Sequence, residues 1–127
     1  MSDMPAPNHS VILVIDDDPL IRALLQDILQ EEGYAVLLAD DGEQALLILT
    51  TARPDLATLD LNLPGIGGDV VLKELRNQDI TKDLPVIVLS ALETIPREVQ
   101  KLAQAVIQKP FDIDNLLSTI QRCLPFK

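Results

Sequence analysis

Five polar side chains stand at the ends of apolar runs in this sequence, and their chemical types are complementary. They are three carboxylates, one hydroxyl and one ammonium group: Asp16, Asp17, Asp60, Ser90 and Lys109. Carboxylates that lie close together repel one another, and a hard divalent cation such as Mg²⁺ relieves that repulsion. A lysine and a hydroxyl suit an anionic phosphoryl group. Together these groups indicate Mg²⁺-assisted phosphoryl transfer to a carboxylate.

Alternating strands and helices would bring these groups together, and the sequence predicts five of each. Apolar, β-branched runs predict strands buried on both faces, and apolar residues at helical spacing follow them. The predicted strands are 10–15, 34–39, 55–60, 85–90 and 105–108, and the predicted helices are 19–32, 43–52, 69–77, 96–103 and 113–123. This alternation predicts an α/β fold, a flavodoxin-like three-layer (βα)5 sandwich with a parallel sheet of order 2-1-3-4-5.

The carboxyl ends of the strands are where such a sheet binds ligands, beside the point where the strand order reverses. The first and third strands flank that point, and both end in acids. The hydroxyl and the lysine end the fourth and fifth strands, so we expect all five groups to converge on one edge. Three other aspartates are predicted to cap the N-termini of helices: Asp18, Asp41 and Asp112.

Composition narrows the class of protein. The 127 residues fit one domain at 10–124, with a disordered lead-in at 1–9 and a tail at 125–127. Ten Lys and Arg against twenty Asp and Glu give a net charge of −10, which argues against direct nucleic-acid binding and against anionic membranes. One cysteine cannot form an internal disulfide, and no signal peptide or spanning apolar run is evident. We therefore expect a cytoplasmic protein.

Four blocks of sequence resemble a known family. They are VILVIDDDP at 11–19, PDLATLDLNLPGIGG at 54–68, PVIVLSA at 85–91 and QKPF at 108–111. In this order they resemble the receiver (CheY-like) domain of bacterial two-component response regulators, over about residues 10–124. The resemblance implies that Asp60 accepts a phosphoryl group from a sensor histidine kinase or a histidine phosphotransfer protein. It also implies a signalling domain rather than an enzyme, acting on an unknown downstream protein, with homodimerisation left open.

The resemblance further implies a role for each residue of the metal site. Asp17 and Asp60 would bind Mg²⁺ directly, and Asp16 would bind it through water. The backbone carbonyl of Asn62 would be a further ligand.

Three more residues receive roles from the resemblance. Ser90 would contact the phosphoryl group and move towards it on activation. Lys109 would pair with Asp60 or its phosphate, and Pro110 would follow it through a cis peptide bond.

Two features depart from the family pattern. Val106 occupies a position that is often aromatic in receivers, and a valine has no ring to swing between buried and exposed positions. The segment between Ser90 and Lys109 is about one helical turn shorter than expected, which predicts a truncated or irregular fourth helix.

Arg22, on the first predicted helix, is interpreted as a solvated helix charge.

Two alternative functions would use part of the same pattern. A Mg²⁺-dependent phosphatase with an aspartyl-phosphate intermediate would use similar chemistry, but it would place a second acid two residues after the nucleophile, where this chain has Asn62. A flavodoxin-like FMN or nucleotide binder would need Ser, Thr and Gly after the first strand, where this chain has three aspartates. Charge repulsion disfavours the second alternative, whereas a turnover assay separates the first from a signalling domain.

Overall fold

A computed structural model describes residues 10–125 of the chain. Five parallel strands form one sheet in the order β2-β1-β3-β4-β5. The strands are β1 Val11–Ile15, β2 Ala35–Ala39, β3 Leu56–Asp60, β4 Val86–Ser90 and β5 Ala105–Gln108. The helices are α1 Pro19–Glu31, α2 Gly42–Ile48, α3 Gly68–Arg76, α4 Arg97–Leu102 and α5 Ile113–Cys123. The predicted fold class and strand order are confirmed.

The sheet separates two apolar layers, and alternate residues of one strand enter different layers. Leu13 and Ile15 of β1 pack with the helices α2 and α3, whereas Ile12 and Val14 pack with α1 and α5. Strands β3 and β4 are buried along their whole length. Burial on both faces explains why these runs are continuously apolar rather than alternating.

The register of the sheet aligns the carboxyl ends of its strands. Ile15 is paired with Leu59, Asp60 with Leu89, and Ser90 with Gln108. The polar residues at the strand ends, or one or two positions beyond them, therefore lie at the same edge of the sheet.

The three predicted helix caps are present. The carboxylates of Asp18, Asp41 and Asp112 accept backbone N–H bonds at the starts of α1, α2 and α5. Gly33, just past the end of α1, has a φ of 93°, a conformation that glycine adopts without strain. These local signals fix where the elements begin and end.

Most element boundaries differ from the prediction by one residue, and the end of α2 differs by four. Helix α2 ends at Ile48 rather than 52, because Thr50 and Thr51 bond to carbonyls three residues back and tighten the chain into a turn. Strand β3 begins at Leu56, since the Asp55 carboxylate instead accepts a bond from the Val11 N–H. Helix α4 has only six residues, which agrees with the predicted truncation.

No helix within residues 10–125 is long and apolar enough to cross a membrane. The lead-in predicted at 1–9 lies outside the described residues, as do the last two residues of the tail predicted at 125–127.

Candidate phosphoryl-acceptor and metal site

Asp16 is the most deeply buried acid of the site, with 1% of its surface exposed. It follows β1 directly, and its backbone N–H continues the ladder to the carbonyl of Ala39 at 3.1 Å. One carboxylate oxygen accepts the Asp18 N–H at 2.9 Å, and the other accepts the Lys109 ammonium at 2.9 Å. Both oxygens of Asp16 therefore have a partner within the protein.

Asp60 ends β3 and is 7% exposed. Its Oδ1 accepts the Asn62 N–H at 3.0 Å, and its Oδ2 lies 3.6 Å from Nζ of Lys109. Burial raises the pKa of Asp60 above its usual range, and the charges of Asp16 and Asp17 add to the rise. The Asn62 bond and Lys109 lower the pKa but do not cancel the rise.

Asp17 completes a cluster of three carboxylates. One oxygen from each of Asp16, Asp17 and Asp60 can be chosen so that all three lie within 4.8 Å of one another. Asp17 is exposed, unlike the other two. Three hard oxygen donors at this spacing fit a divalent cation, since Mg²⁺ binds to carboxylates and keeps several waters.

Lys109 and Ser90 line a cavity together with Asp60, and this cavity is called the acid pocket below. It has a volume of about 330 Å³ and is lined by Asp60, Leu61, Asn62, Ser90, Ala91, Leu92 and Lys109. Burial alone would lower the pKa of Lys109, but its contacts with Asp16 and Asp60 outweigh burial and raise it. The lysine is therefore a fixed positive charge at neutral pH. It forms an ion pair with Asp60 at 3.6 Å and a shorter one with Asp16 at 2.9 Å.

The structure brings together all five groups that the sequence singled out, and the Lys109–Pro110 peptide bond is cis. The Ser90 hydroxyl accepts the Leu92 N–H at 3.0 Å, so its oxygen faces the loop that leads into α4.

Two contributors to the site were missed by sequence reasoning. Arg22 is not simply solvated: its Nη1 donates to the backbone carbonyl of Asp16 at 2.7 Å. Gly68 begins α3 directly against β3, and a Cβ there would collide with the backbone of Asp60 and Leu61. The three glycines of the 61–68 loop signalled a turn, but nothing in their spacing shows which one touches β3.

A parallel α/β sheet with an acidic pocket at its switch point defines the class to which this chain belongs. The response regulator receiver domain family matches it over residues 12–121. The chain is therefore a member of the response regulator receiver domain family.

Three similar proteins illustrate the range of the match. Sporulation initiation phosphotransferase F of Bacillus subtilis is 38% identical over 119 residues, which cover 91% of this chain and 94% of that protein. The DNA-binding dual master transcriptional regulator RpaA of Synechocystis is 38% identical over 116 residues, which cover 89% of this chain but 48% of RpaA. The crystal structure of the response regulator TrrA from Thermotoga maritima in complex with Mg²⁺-BeF has a TM-score of 0.83 and 37% identity, and the match covers 91% of this chain and 99% of TrrA.

Proposed function

We propose that this receiver domain, residues 10–124, accepts a phosphoryl group on Asp60 in a Mg²⁺-dependent reaction and thereby changes its binding to a partner protein. The observation that carries the proposal is the position of Asp60. Its carboxylate lines a 330 Å³ cavity that also contains Lys109 and Ser90, beside two further carboxylates. The cavity has room for a phosphoryl group, and the cluster has the donors for a cation.

The donor is proposed to be the phosphohistidine of a sensor histidine kinase or of a histidine phosphotransfer protein. An Asp60 carboxylate oxygen attacks phosphorus and forms a P–O bond as the P–N bond to the imidazole breaks. The pair of electrons from the P–N bond leaves on the imidazole nitrogen. Catalysis of such a step consists mainly of positioning and charge neutralisation.

The metal ligands are proposed to be Asp17 and Asp60 directly, Asp16 through water, and the backbone carbonyl of Asn62. Both Asp16 oxygens are already bonded within the protein, which supports an indirect contact for this residue. The bound cation would supply positive charge to the carboxylates and to the phosphoryl oxygens.

Lys109 and Ser90 are proposed to hold the transferred group. The Lys109 ammonium lies between two carboxylates and is 3.6 Å from Asp60, so it faces the site of the new negative charge. The Ser90 hydroxyl can donate to a phosphoryl oxygen once it turns from the Leu92 N–H.

The phosphodonor protein is proposed to cover the apolar groove beside the acid pocket. The groove has a volume of about 400 Å³ and shares Ala91 and Lys109 with the acid pocket. Its other walls are Ile21, Leu24, Pro110, Phe111 and Ile113. A protein that delivers phosphorus to Asp60 must cover this rim, and apolar burial would favour that contact.

Compartment and other partners follow from the same proposal. Histidine kinases use ATP, so we place the domain in the cytoplasm. With a net charge of −10, the domain itself is not proposed to bind nucleic acid or membranes, and its output partner is a protein. We propose a signalling domain rather than an enzyme, because position 62 carries Asn and not a second acid.

Intact-mass measurement after incubation with acetyl phosphate and Mg²⁺ tests the proposal. The wild type should gain one phosphoryl mass, Asp60→Ala should gain none, and Asp69→Ala should behave as the wild type, since Asp69 is an exposed acid at the start of α3. Chelation of Mg²⁺ should abolish the gain. Equal labelling of the Asp60→Ala variant would contradict the assignment, and sustained turnover of a generic phosphomonoester would favour a phosphatase.

A further inference from the structure

Arg22 connects helix α1 to the loop that carries the acids. It lies six residues after Asp16, and its Nη1 donates to the Asp16 carbonyl oxygen at 2.7 Å. The side chain is half-buried, and the charge-assisted bond to a backbone carbonyl is short. Arg22 is thus fixed against the first of the three acids without touching its carboxylate.

Every hydrogen-bonding group of Asp16 has a partner. Its N–H donates to Ala39, its carbonyl accepts from Arg22, and its carboxylate accepts from Asp18 and Lys109. The orientation of the peptide unit that joins Asp16 to Asp17 is therefore fixed by Arg22 at its oxygen.

Asp17 depends on that peptide unit. Its side chain is exposed, and within residues 10–125 no hydrogen bond or ion pair of its carboxylate is found. No side-chain contact holds the Asp17 oxygen near the other two acids, so the backbone alone places the Asp17 Cα and Cβ beside them. The rigid planarity of the peptide transmits the restraint from the Asp16 carbonyl to the Asp17 Cα.

We propose that Arg22 is a positioning residue for the cation site: by holding the Asp16 carbonyl it directs the Asp17 carboxylate towards Asp16 and Asp60. This inference rests on the proposed function, because it assumes that the three acids bind Mg²⁺. Residues that orient metal ligands typically change metal affinity by about 10–100-fold when they are removed.

The direction in which the Mg²⁺ affinity changes when Arg22 is removed distinguishes a positioning role from a purely electrostatic one. If Arg22 contributed only its positive charge, its removal would make the pocket more negative and Mg²⁺ would bind more tightly. If Arg22 positions Asp17, its removal loosens a ligand and Mg²⁺ binds more weakly. The two roles predict opposite changes in the same dissociation constant.

Calorimetric titration with Mg²⁺ at neutral pH and fixed ionic strength tests the proposal. Arg22→Met should raise the Mg²⁺ Kd about tenfold. Arg22→Gln keeps an N–H donor without the charge, so its Kd should lie between those of Arg22→Met and the wild type. Arg53→Met is the matched control, because Arg53 also donates to backbone carbonyls, those of Leu49 and Ala52. It lies at the opposite end of the sheet, so its Kd should be unchanged.

The outcomes are separable. A Kd for Arg22→Met equal to or below that of the wild type would overturn the positioning role. If Arg22→Met does not fold, the Kd of the Arg22→Gln variant tests the positioning role. A Kd for Arg22→Gln that is equal to or below that of the wild type would overturn that role. Absence of Mg²⁺ binding by the wild type would instead contradict the proposed function.

Discussion

Neutralising Asp60 should stabilise the protein in the absence of metal. Any two acids of the cluster can lie within 4.8 Å, which corresponds to a repulsion of at least about 3.5 kcal/mol at an effective dielectric constant near 20. Asp60 experiences two such repulsions. The attraction to Lys109 at 3.6 Å is about 4.6 kcal/mol on the same scale, so the charges alone leave a net cost of about 2 kcal/mol on the ionised Asp60. Burial, the largest cause of the raised pKa of Asp60, adds to this cost, and the hydrogen bond from the Asn62 N–H reduces it.

Asp60→Asn removes this charge and keeps an oxygen that can accept the Asn62 N–H. In EDTA at neutral pH the variant should therefore unfold with a free energy about 2 kcal/mol higher, which for 127 residues raises Tm by about 7 °C. Urea denaturation with an unchanged m-value measures the free energy directly. Asp27→Asn, an exposed acid on α1, is the control for net charge and should shift stability by less than about 0.5 kcal/mol.

The stability difference between the wild type and Asp60→Asn should depend on pH, and the raised pKa of Asp60 fixes the direction of that dependence. Because burial and neighbouring acids raise the pKa of Asp60, the folded protein takes up this proton at a higher pH than the unfolded chain does. The wild type therefore loses stability relative to Asp60→Asn as the pH rises from the unfolded to the folded pKa, and the difference disappears in acid.

Saturating Mg²⁺ should make the wild type more stable than Asp60→Asn at neutral pH. Ligand at about 100 times Kd stabilises the wild type by about 2.7 kcal/mol, and the variant lacks one of the proposed carboxylate ligands. If Asp60→Asn is no more stable than the wild type in EDTA, the carboxylates are not crowded and the electrostatic reasoning is refuted.

Three further predictions concern the elements around the pocket. Gly68→Ala should destabilise the protein by about 1–3 kcal/mol in urea denaturation, because the added methyl meets the backbone of Asp60. Arg76→Met should lower the free energy of unfolding by about 2 kcal/mol, since Arg76 donates to three carbonyls, including that of Leu102 at the end of α4. Amide exchange after binding of a phosphoryl mimic should change at 91–105, and unchanged protection there would contradict a response through α4.

The fold followed from the sequence because periodicity and strand-end chemistry are local signals. Five apolar runs, each followed by a helical pattern, leave few topologies, and the parallel sheet then brings strand ends to one edge. Asp60 needed only its place after a buried run to be identified as part of the site. The caps at Asp18, Asp41 and Asp112 were predicted for the same reason, since a capping carboxylate acts within three residues.

The features of the site that the sequence did not predict depend on distances between helices and strands, and the spacing of residues along the sequence does not show those distances. The sequence places Lys109 at the same edge as the acids, but only the side-chain distances show that its ammonium is closer to Asp16 than to Asp60. Arg22 looked solvated because a helix position does not show that a long side chain turns back over the preceding loop. The role of Gly68 arises from a close approach between α3 and β3, which no pattern of glycines specifies.

The contacts of Ser90 and Arg76 indicate how a change in the acid pocket would reach the surface of the domain. Val106 is already 36% exposed and has no ring to exchange between two positions, so a response at β5 has little to act on. Ser90, by contrast, bonds to the Leu92 N–H, and Leu92 lines both the acid pocket and a second cavity between α3 and α4. A hydroxyl that turns to a phosphoryl group leaves the Leu92 N–H without its acceptor. Because Arg76 holds the C-terminal end of α4, we expect the displacement to begin at 91–96, the loop before that helix, and to reach α4 from there.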